Sequence, residues 1–350
     1  MQEGLDYEKL VTDDDPIRDV IMIEKVYFSA GHQAEIAIVN APDMTKKSNR
    51  DRILRVVNEY ETTRYSVGPK GTQLWLREYE RYQNATGAYM KDDRDTWING
   101  VYEWTQLFAF YRLWSQDFVW SNAQEADMRE MKSFRFRIAI KNYDNIIAFK
   151  RITALMREIA GKYPDLNITT FQLYRALADQ NDAILPNTVQ NCLIELLCIG
   201  AVGLVFIPNV VFTFWIILAI ISIDIGVVGC LSWWSVKLDP ISMITLIMSI
   251  GFSVEFTAHI TYGFVSSKGD LSPKERTAQA LEKHAVPVLQ ARLPFGAVST
   301  VLGVSVLAFI NSYTVTIFFK AVFLVVSLGA LHALVFLPVF LSRTAPLINR

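Results

Sequence analysis

The sequence has few cysteines, no basic run and no catalytic signature, and each absence removes a class of protein. Its three cysteines, Cys192, Cys198 and Cys230, all fall in apolar stretches. The polar first half therefore has no means of forming a disulfide, and its fold must rest on packing. A net charge of -1 over 350 residues, with no cluster of Lys and Arg, leaves no concentrated basic face for phosphates and sets nucleic acid aside as a partner. Gly-x-Ser-x-Gly, His-Glu-x-x-His and a phosphate-binding glycine loop are all missing, and the four histidines, His32, His259, His284 and His332, are scattered. Enzymatic activity, a metal centre and a cofactor thus have no support in the sequence. No secretory signal opens the chain, since residues 1–20 are acidic and include Asp13, Asp14 and Asp15. The expectation is a C-terminal piece of a longer polypeptide, with an upstream span in the missing part.

What is present is uneven. Of 34 Lys and Arg and 35 Asp and Glu, 25 and 28 precede Leu185. The chain therefore has two halves with different solvents. Crossing about 30 Å of hydrocarbon takes about 20 mostly apolar residues, and five segments qualify, near 189–207, 210–232, 241–264, 294–312 and 316–342. Pro208 and Asn209 make a tight turn between the first two, and Lys237 to Pro240 separates the second from the third. The 265–293 loop carries Lys268, Lys274, Arg276, Lys283 and Arg292, and the 343–350 tail adds Arg343 and Arg350. By the positive-inside rule both belong in the cytoplasm, and an odd number of spans puts residues 1–188 outside or in a lumen. The sequons at Asn84 and Asn167 agree with that placement and mark glycosylation. Segment 272–290, opened by Ser272-Pro273, reads as an amphipathic helix on the cytoplasmic face or a simple connector.

Asp224, Glu255, His259 and His332 sit well inside apolar stretches. Ionisable groups there cost about 2.5–3.5 kcal/mol on insertion scales and usually mark an ion or proton path. Gly251, Glu255 and His259 are spaced by four and share one helix face. The pair can exchange a proton near neutral pH, or it can be a hydrogen-bonded device that only fixes helix packing. For Asp224, beside Ser222 and Gly226, coupling and packing stand level. His332 reads as a packing histidine, and Glu195 and Lys320 as residues near outer ends that snorkel to the interface.

In the polar half, 34–40 and 133–140 alternate apolar and polar residues like half-buried strands, and each leads to a helical stretch, 45–61 and 143–161. Two strand-helix units predict an α+β sandwich. Between them, the 74–130 region is rich in aromatics, from Trp75 to Trp120, which serve either as core or as the lining of a lipid pocket.

The stretch from Met243 to Ile260, with Gly251-x-x-x-Glu255, resembles the tenth helix of the Patched family, which includes Patched, Dispatched, the Niemann-Pick C sterol transporter and a nematode Patched-related branch. Phe318 to Ser342 resembles the family's last helix, Ile184-Leu185-Pro186 leads into the first span, and Ile221 to Gly226 is most similar to the nematode branch. The resemblance implies a resistance-nodulation-division fold of two repeats. This chain would be the second repeat without its first helix: a multi-pass α-helical membrane protein with a ferredoxin-like outer domain and a helical insertion at 74–130. It implies movement of sterol or another lipid, coupled to a cation gradient through Glu255, with Gly251, His259 and Asp224 as the candidates around it. Implied partners are a membrane lipid or sterol and the missing N-terminal repeat, with a homo-oligomer also allowed, in the plasma membrane or an endosomal vesicle. The partner carboxylate of the family's fourth helix is absent here, and so are the outer-domain cysteines of Patched and the Niemann-Pick protein. The alternative function is a receptor or trafficking module that binds a lipid or protein ligand without moving it.

Overall fold

The computed structural model describes residues 1–4, 10–12, 14–27, 32–143, 145–207, 209–267, 271–289 and 297–348. Asp13, Pro208, Lys268, Arg292, Arg350 and residues 294–296 of the expected fourth span lie outside the described residues. The chain divides into two compact units, one of Asp19–Asp179 and one of Met1–Arg18 with Gln180–Arg350.

After helix α1 (Ile17–Tyr27), the first unit is built on strand β1 (His32–Ile38), helix α2 (Lys47–Glu61) and the two-residue strand β2 (Thr72–Gln73). Helices α3 (Trp75–Thr86), α4 (Gly100–Trp104) and α5 (Ala109–Arg112) follow, then strands β3 (Phe118–Ser121) and β4 (Glu130–Ile140), helix α6 (Ile146–Gly161) and strand β5 (Ile168–Gln172). The strand order is β2-β4-β1-β5, every pairing is antiparallel, and β3 adds to β4 through a bulge at Val119/Trp120. Period-two alternation makes the sheet two-faced. Ala34, Ile36 and Ile38 of β1 and Phe134, Phe136, Ile138 and Ile140 of β4 are buried on one side. Against them lie Ile53, Val56, Val57 and Tyr60 of α2 and Ile152, Met156 and Ile159 of α6. The Tyr60 hydroxyl donates to the Met156 carbonyl at 3.2 Å, and Asn145 caps α6 by accepting from Ala148 N–H at 2.9 Å.

On the other side of the sheet the alternation leaves charge. Glu35 stands opposite Arg137, and Asp117, 3% exposed, accepts from both Arg135 and Arg137. The 74–130 insertion has its own aromatic core. Tyr79 meets Trp97 and Trp104 edge-on at 5.8 and 5.5 Å, and Trp75 packs on Phe118 and Phe134 at 5.1 and 5.5 Å, which fastens the insertion to the sheet. A Cβ at Gly100 would lie 2.5 Å from the Tyr79 hydroxyl, so only glycine lets the helix pass that ring. The insertion expected to be helical contains β3, because four residues are too few for alternation to register.

The second unit is helical: α7 (Arg175–Phe206), α8 (Val210–Trp233), α9 (Pro240–Val265), α10 (Pro273–Leu289), α11 (Ala297–Ser305), α12 (Tyr313–Leu331) and α13 (Leu337–Ile348), the last two joined by a π turn at His332–Phe336. Among the described residues four stretches are long and apolar enough to cross a membrane: Arg175–Phe206, Val210–Trp233, Pro240–Val265 and Tyr313–Pro346. The sequence predicts five, and the start of its fourth lies outside the described residues. The described part of that segment is the shorter apolar helix Ala297–Phe309, whose end tightens to a 3-10 turn at Val306–Phe309 before the next helix starts at Tyr313.

The helix ends are capped by their own sequence. Asp239 and Ser242 form a reciprocal box at the start of α9, with Pro240 in the first turn, and the Tyr313 hydroxyl donates to Asp239 at 2.7 Å. Asn209 caps α8, and Ser272 with Glu275 caps α10. Glycines bring helices together: a Cβ on Gly226 would meet Leu328 at 2.9 Å, and one on Gly329 would meet the Phe256 ring at 2.7 Å.

Candidate functional site

Helix α9 carries two faces. Thr245, Ser249, Ser253, Thr257 and Thr261, spaced by four, are buried, and each hydroxyl donates to a carbonyl three or four residues back. A Ser/Thr stripe satisfied within its own helix packs closely without bringing an unpaired polar group into an apolar bundle. The sequence reading missed this stripe, although its spacing was in plain view. Two residues further on, about 200° around the helix at 100° per residue, lie Gly251, Glu255 and His259. Gly251 and His259 are exposed and Glu255 is half-buried. The stripe expected to point into the bundle interior therefore lies on the face that the described helices leave partly uncovered. Sequence spacing shows which residues share a face but not what covers it.

What lies beside that face is a carboxylate from α7. Glu195 Oε1 stands 4.0 Å from where a Cβ of Gly251 would be, and Glu195 is also a charged neighbour of Asp224 on α8. Asp224 in turn adjoins the Ser249 side of α9. One oxygen of each acid, Glu195 Oε2 and Asp224 Oδ1, is buried without a hydrogen-bond partner among the described residues. Glu195, expected to snorkel to the interface, is half-buried beside Gly251 in this arrangement. Because α7 and α8 form a hairpin, depth is counted from the turn: Glu195 is 13 residues before position 208 and Asp224 is 16 after it, or about 20 and 24 Å at 1.5 Å per residue. That count would have found the pair.

The remaining charges have separate neighbours. His332 Nδ1–H donates to the Leu328 carbonyl at 2.8 Å, which leaves Nε2 to accept from the Ser222 hydroxyl at 3.0 Å. Lys320 extends over the Trp234 ring. Among the described residues no group of three or more His, Cys, Asp or Glu could hold a metal ion. The arrangement brings two carboxylates, Glu195 of α7 and Asp224 of α8, to neighbouring positions beside α9.

In the Asp19–Asp179 unit, Asn84 is exposed near the end of α3, and Asn167 is exposed with φ +46° just before β5. Ion pairs there hold carboxyls below their usual range: Asp165 through hydrogen bonds from Arg52, and Asp179 through hydrogen bonds from Arg157. The Tyr163 hydroxyl, followed by Lys162, does the same for Glu59.

No family model matches the chain. It is 38% identical over 170 residues, 49% of its length, to "Patched-related protein 9" of Caenorhabditis elegans. It is 32% identical over 178 residues to "Niemann-Pick type C1-related protein" of Toxoplasma gondii, and 30% identical over 206 residues to "NPC1-like intracellular cholesterol transporter 1" of Rattus norvegicus. The matches cover 50% and 57% of this chain in the last two cases. They span 19%, 15% and 15% of these relatives' own lengths, so the matched part of the chain corresponds to less than a fifth of each.

Proposed function

This chain belongs to the Patched and Niemann-Pick C1-related family of membrane proteins, and on that premise we propose that it is the second half-repeat of a transporter that moves sterol or another lipid, coupled to a cation gradient through Glu255. The observation that carries the reading is a half-buried acid within an apolar span, on the side of α9 that the described bundle leaves open. An ionised group there costs about 2.5–3.5 kcal/mol unless a partner or water meets it. A facing helix of a first repeat, drawn from the much greater length of the relatives, would supply that partner. When Glu255 takes up a proton or cation its charge is removed, and the preferred spacing between α9 and the facing helix changes. His259, one turn away, shares the proton, while Gly251 keeps the face narrow and Asp224 with Glu195 extends the acidic path to the neighbouring helices.

The strand order β2-β4-β1-β5, with α2 and α6 as crossovers, supports reading Asp19–Asp179 as a ferredoxin-like domain. Exposed Asn84 and Asn167 support its placement outside the cell or in a lumen, as a glycosylated domain, with α10 and the tail in the cytoplasm. The membrane is the plasma membrane or that of an endosomal vesicle, and a homo-oligomer is compatible with the reading. The test reconstitutes the full polypeptide in vesicles and follows transfer of a labelled sterol with an ion gradient imposed and then collapsed by an ionophore. Transfer should fall to that of protein-free vesicles when the gradient is lost. Transfer that persists would reject the coupling, and sterol binding without transfer would reject transport in favour of a receptor.

A further inference from the structure

Of the chain's twelve prolines, Pro273 is the one that follows a serine or threonine, and that residue, Ser272, is exposed at the start of α10. We propose that Ser272 is a phosphorylation site for a proline-directed serine kinase using ATP, and that its phosphate is held by Arg276 in place of the present Glu275 cap. The proposal rests on the cytoplasmic placement of α10 and is independent of the coupling role of Glu255. In the unmodified chain the cap is reciprocal. The Ser272 N–H and hydroxyl each donate to the Glu275 carboxylate at 2.8 Å, and the Glu275 N–H donates back to Ser272 Oγ at 3.4 Å. The backbone bond from Ser272, followed by the hydroxyl bond, holds the Glu275 carboxyl below its usual range, so it is an anion near neutral pH.

Proline biases the residue before it to an extended backbone, the form in which kinases bind their substrates. Ser272 Oγ attacks the γ-phosphorus of ATP, the bond from that phosphorus to the bridging oxygen breaks, ADP leaves, and the hydroxyl proton passes to the kinase's catalytic carboxylate. The new group carries a charge of about −1.5 to −2 at pH 7 and three acceptor oxygens. Beside the ionised Glu275 it is repelled, so the reciprocal cap opens. Two compensations stand within reach. The N–H groups of Lys274 and Glu275, in the first turn, are left over from the helix's own ladder and favour an anion. Arg276 follows Ser272 by four, a spacing fixed by its N–H bond to the Ser272 carbonyl at 3.0 Å, and its Nε is buried without a hydrogen-bond partner among the described residues. A guanidinium with an unused donor is well matched to phosphate oxygens. Helix α10 packs on α9, so the modification changes the cap of a helix that supports the span carrying Glu255.

The full polypeptide, solubilised in detergent, is incubated with ATP labelled at the γ-phosphate and a proline-directed kinase, and the modified residue is read by mass spectrometry. Ser272 should take up the label. Ser272→Ala, and Pro273→Ala, which keeps the hydroxyl, should each cut incorporation about tenfold. Amide exchange reads the clamp: phosphorylation should slow exchange over residues 273–277 about fivefold, Arg276→Gln should lose most of that gain, and Arg276→Lys should keep part of it. Should Arg276→Gln fail to fold, Arg276→Lys against the unaltered chain decides. Detergent removes sidedness from this assay. In cells treated with a phosphatase inhibitor the Ser272 phosphopeptide should be present, and an epitope on the C-terminal tail should be reached by antibody only after permeabilisation, which tests the cytoplasmic reading by itself. No uptake at Ser272 in detergent, uptake undiminished by Pro273→Ala, or exchange that phosphorylation leaves unchanged would each overturn the proposal. So would an unmodified Ser272 in cells whose tail is shown to be cytoplasmic. A tail reached without permeabilisation would reject the cytoplasmic reading, and the proposal with it.

Discussion

Replacing Asp117 by Asn tests what fastens the aromatic insertion to the sheet. Asp117 is 3% exposed and accepts from Arg135 Nε at 2.7 Å and from the two Arg137 Nη groups at 3.0 and 2.6 Å. The substitution keeps the shape but removes the anion and turns an amide toward two guanidinium groups. Breaking a fully buried pair costs about 3–5 kcal/mol. Here the arginine side chains are 32% and 18% exposed, and Glu35 still accepts from Arg135 at 2.8 Å, so solvent and a second acceptor lower the cost to about 2–3 kcal/mol. For a unit of this size each kcal/mol moves the midpoint by about 2–4 °C, which gives a fall of about 5–10 °C. The assay is thermal unfolding of the excised Asp19–Asp179 unit by near-ultraviolet circular dichroism, with Glu35→Gln alongside. Glu35 is one-third exposed and its loss should cost under about 1 kcal/mol, but the double variant should lose more than the sum. A midpoint unmoved by Asp117→Asn would show that the aromatic contacts alone hold the insertion.

Three further outcomes are expected. Gly329→Ala forces a methyl to within 2.7 Å of the Phe256 ring and should destabilise the detergent-solubilised chain by about 1–3 kcal/mol; Gly229→Ala, with nothing within 4 Å, should not, and equal melting of the two would refute the close contact. Glu59, Asp165 and Asp179 have carboxyl values lowered by folding, so the unit gains stability from them above their unfolded values of about 4 and loses it as pH falls through the lowered range. Denaturant midpoints should therefore be level from pH 7 to pH 5 and drop below about pH 4, and a loss already complete at pH 5 would contradict the sign. Asn84→Gln and Asn167→Gln should each remove one endoglycosidase-sensitive mobility step from the protein made in cells, and no shift for either would count against an outer or lumenal placement.

How much of this was legible in sequence varied with the signal. Alternation located β1 and β4 because one face of each strand is buried, whereas β2, with two residues, has no period to read, and β3 and β5 passed unnoticed with four and five. Apolar length located α8 and α9, but α7 begins fourteen residues before the expected 189, because Asp179, Gln180, Asn181, Asp182 and Pro186 hide a continuous helix behind polar side chains. Gly251, Glu255 and His259 lie on the continuous helix α9, where a spacing of four puts them on one face. The identity of its neighbour, Glu195, was not found, since that depends on how a hairpin folds back.

The coupling role of Glu255 is tested most directly by Glu255→Gln in the full polypeptide, with gradient-driven sterol transfer measured against the amount of protein at the membrane. The amide keeps the size and the hydrogen-bonding edge and loses only the ability to take up a proton or cation. Transfer abolished with membrane abundance and sterol occupancy unchanged is the expected result. Transfer at the original rate, in a protein as abundant as before, would contradict it.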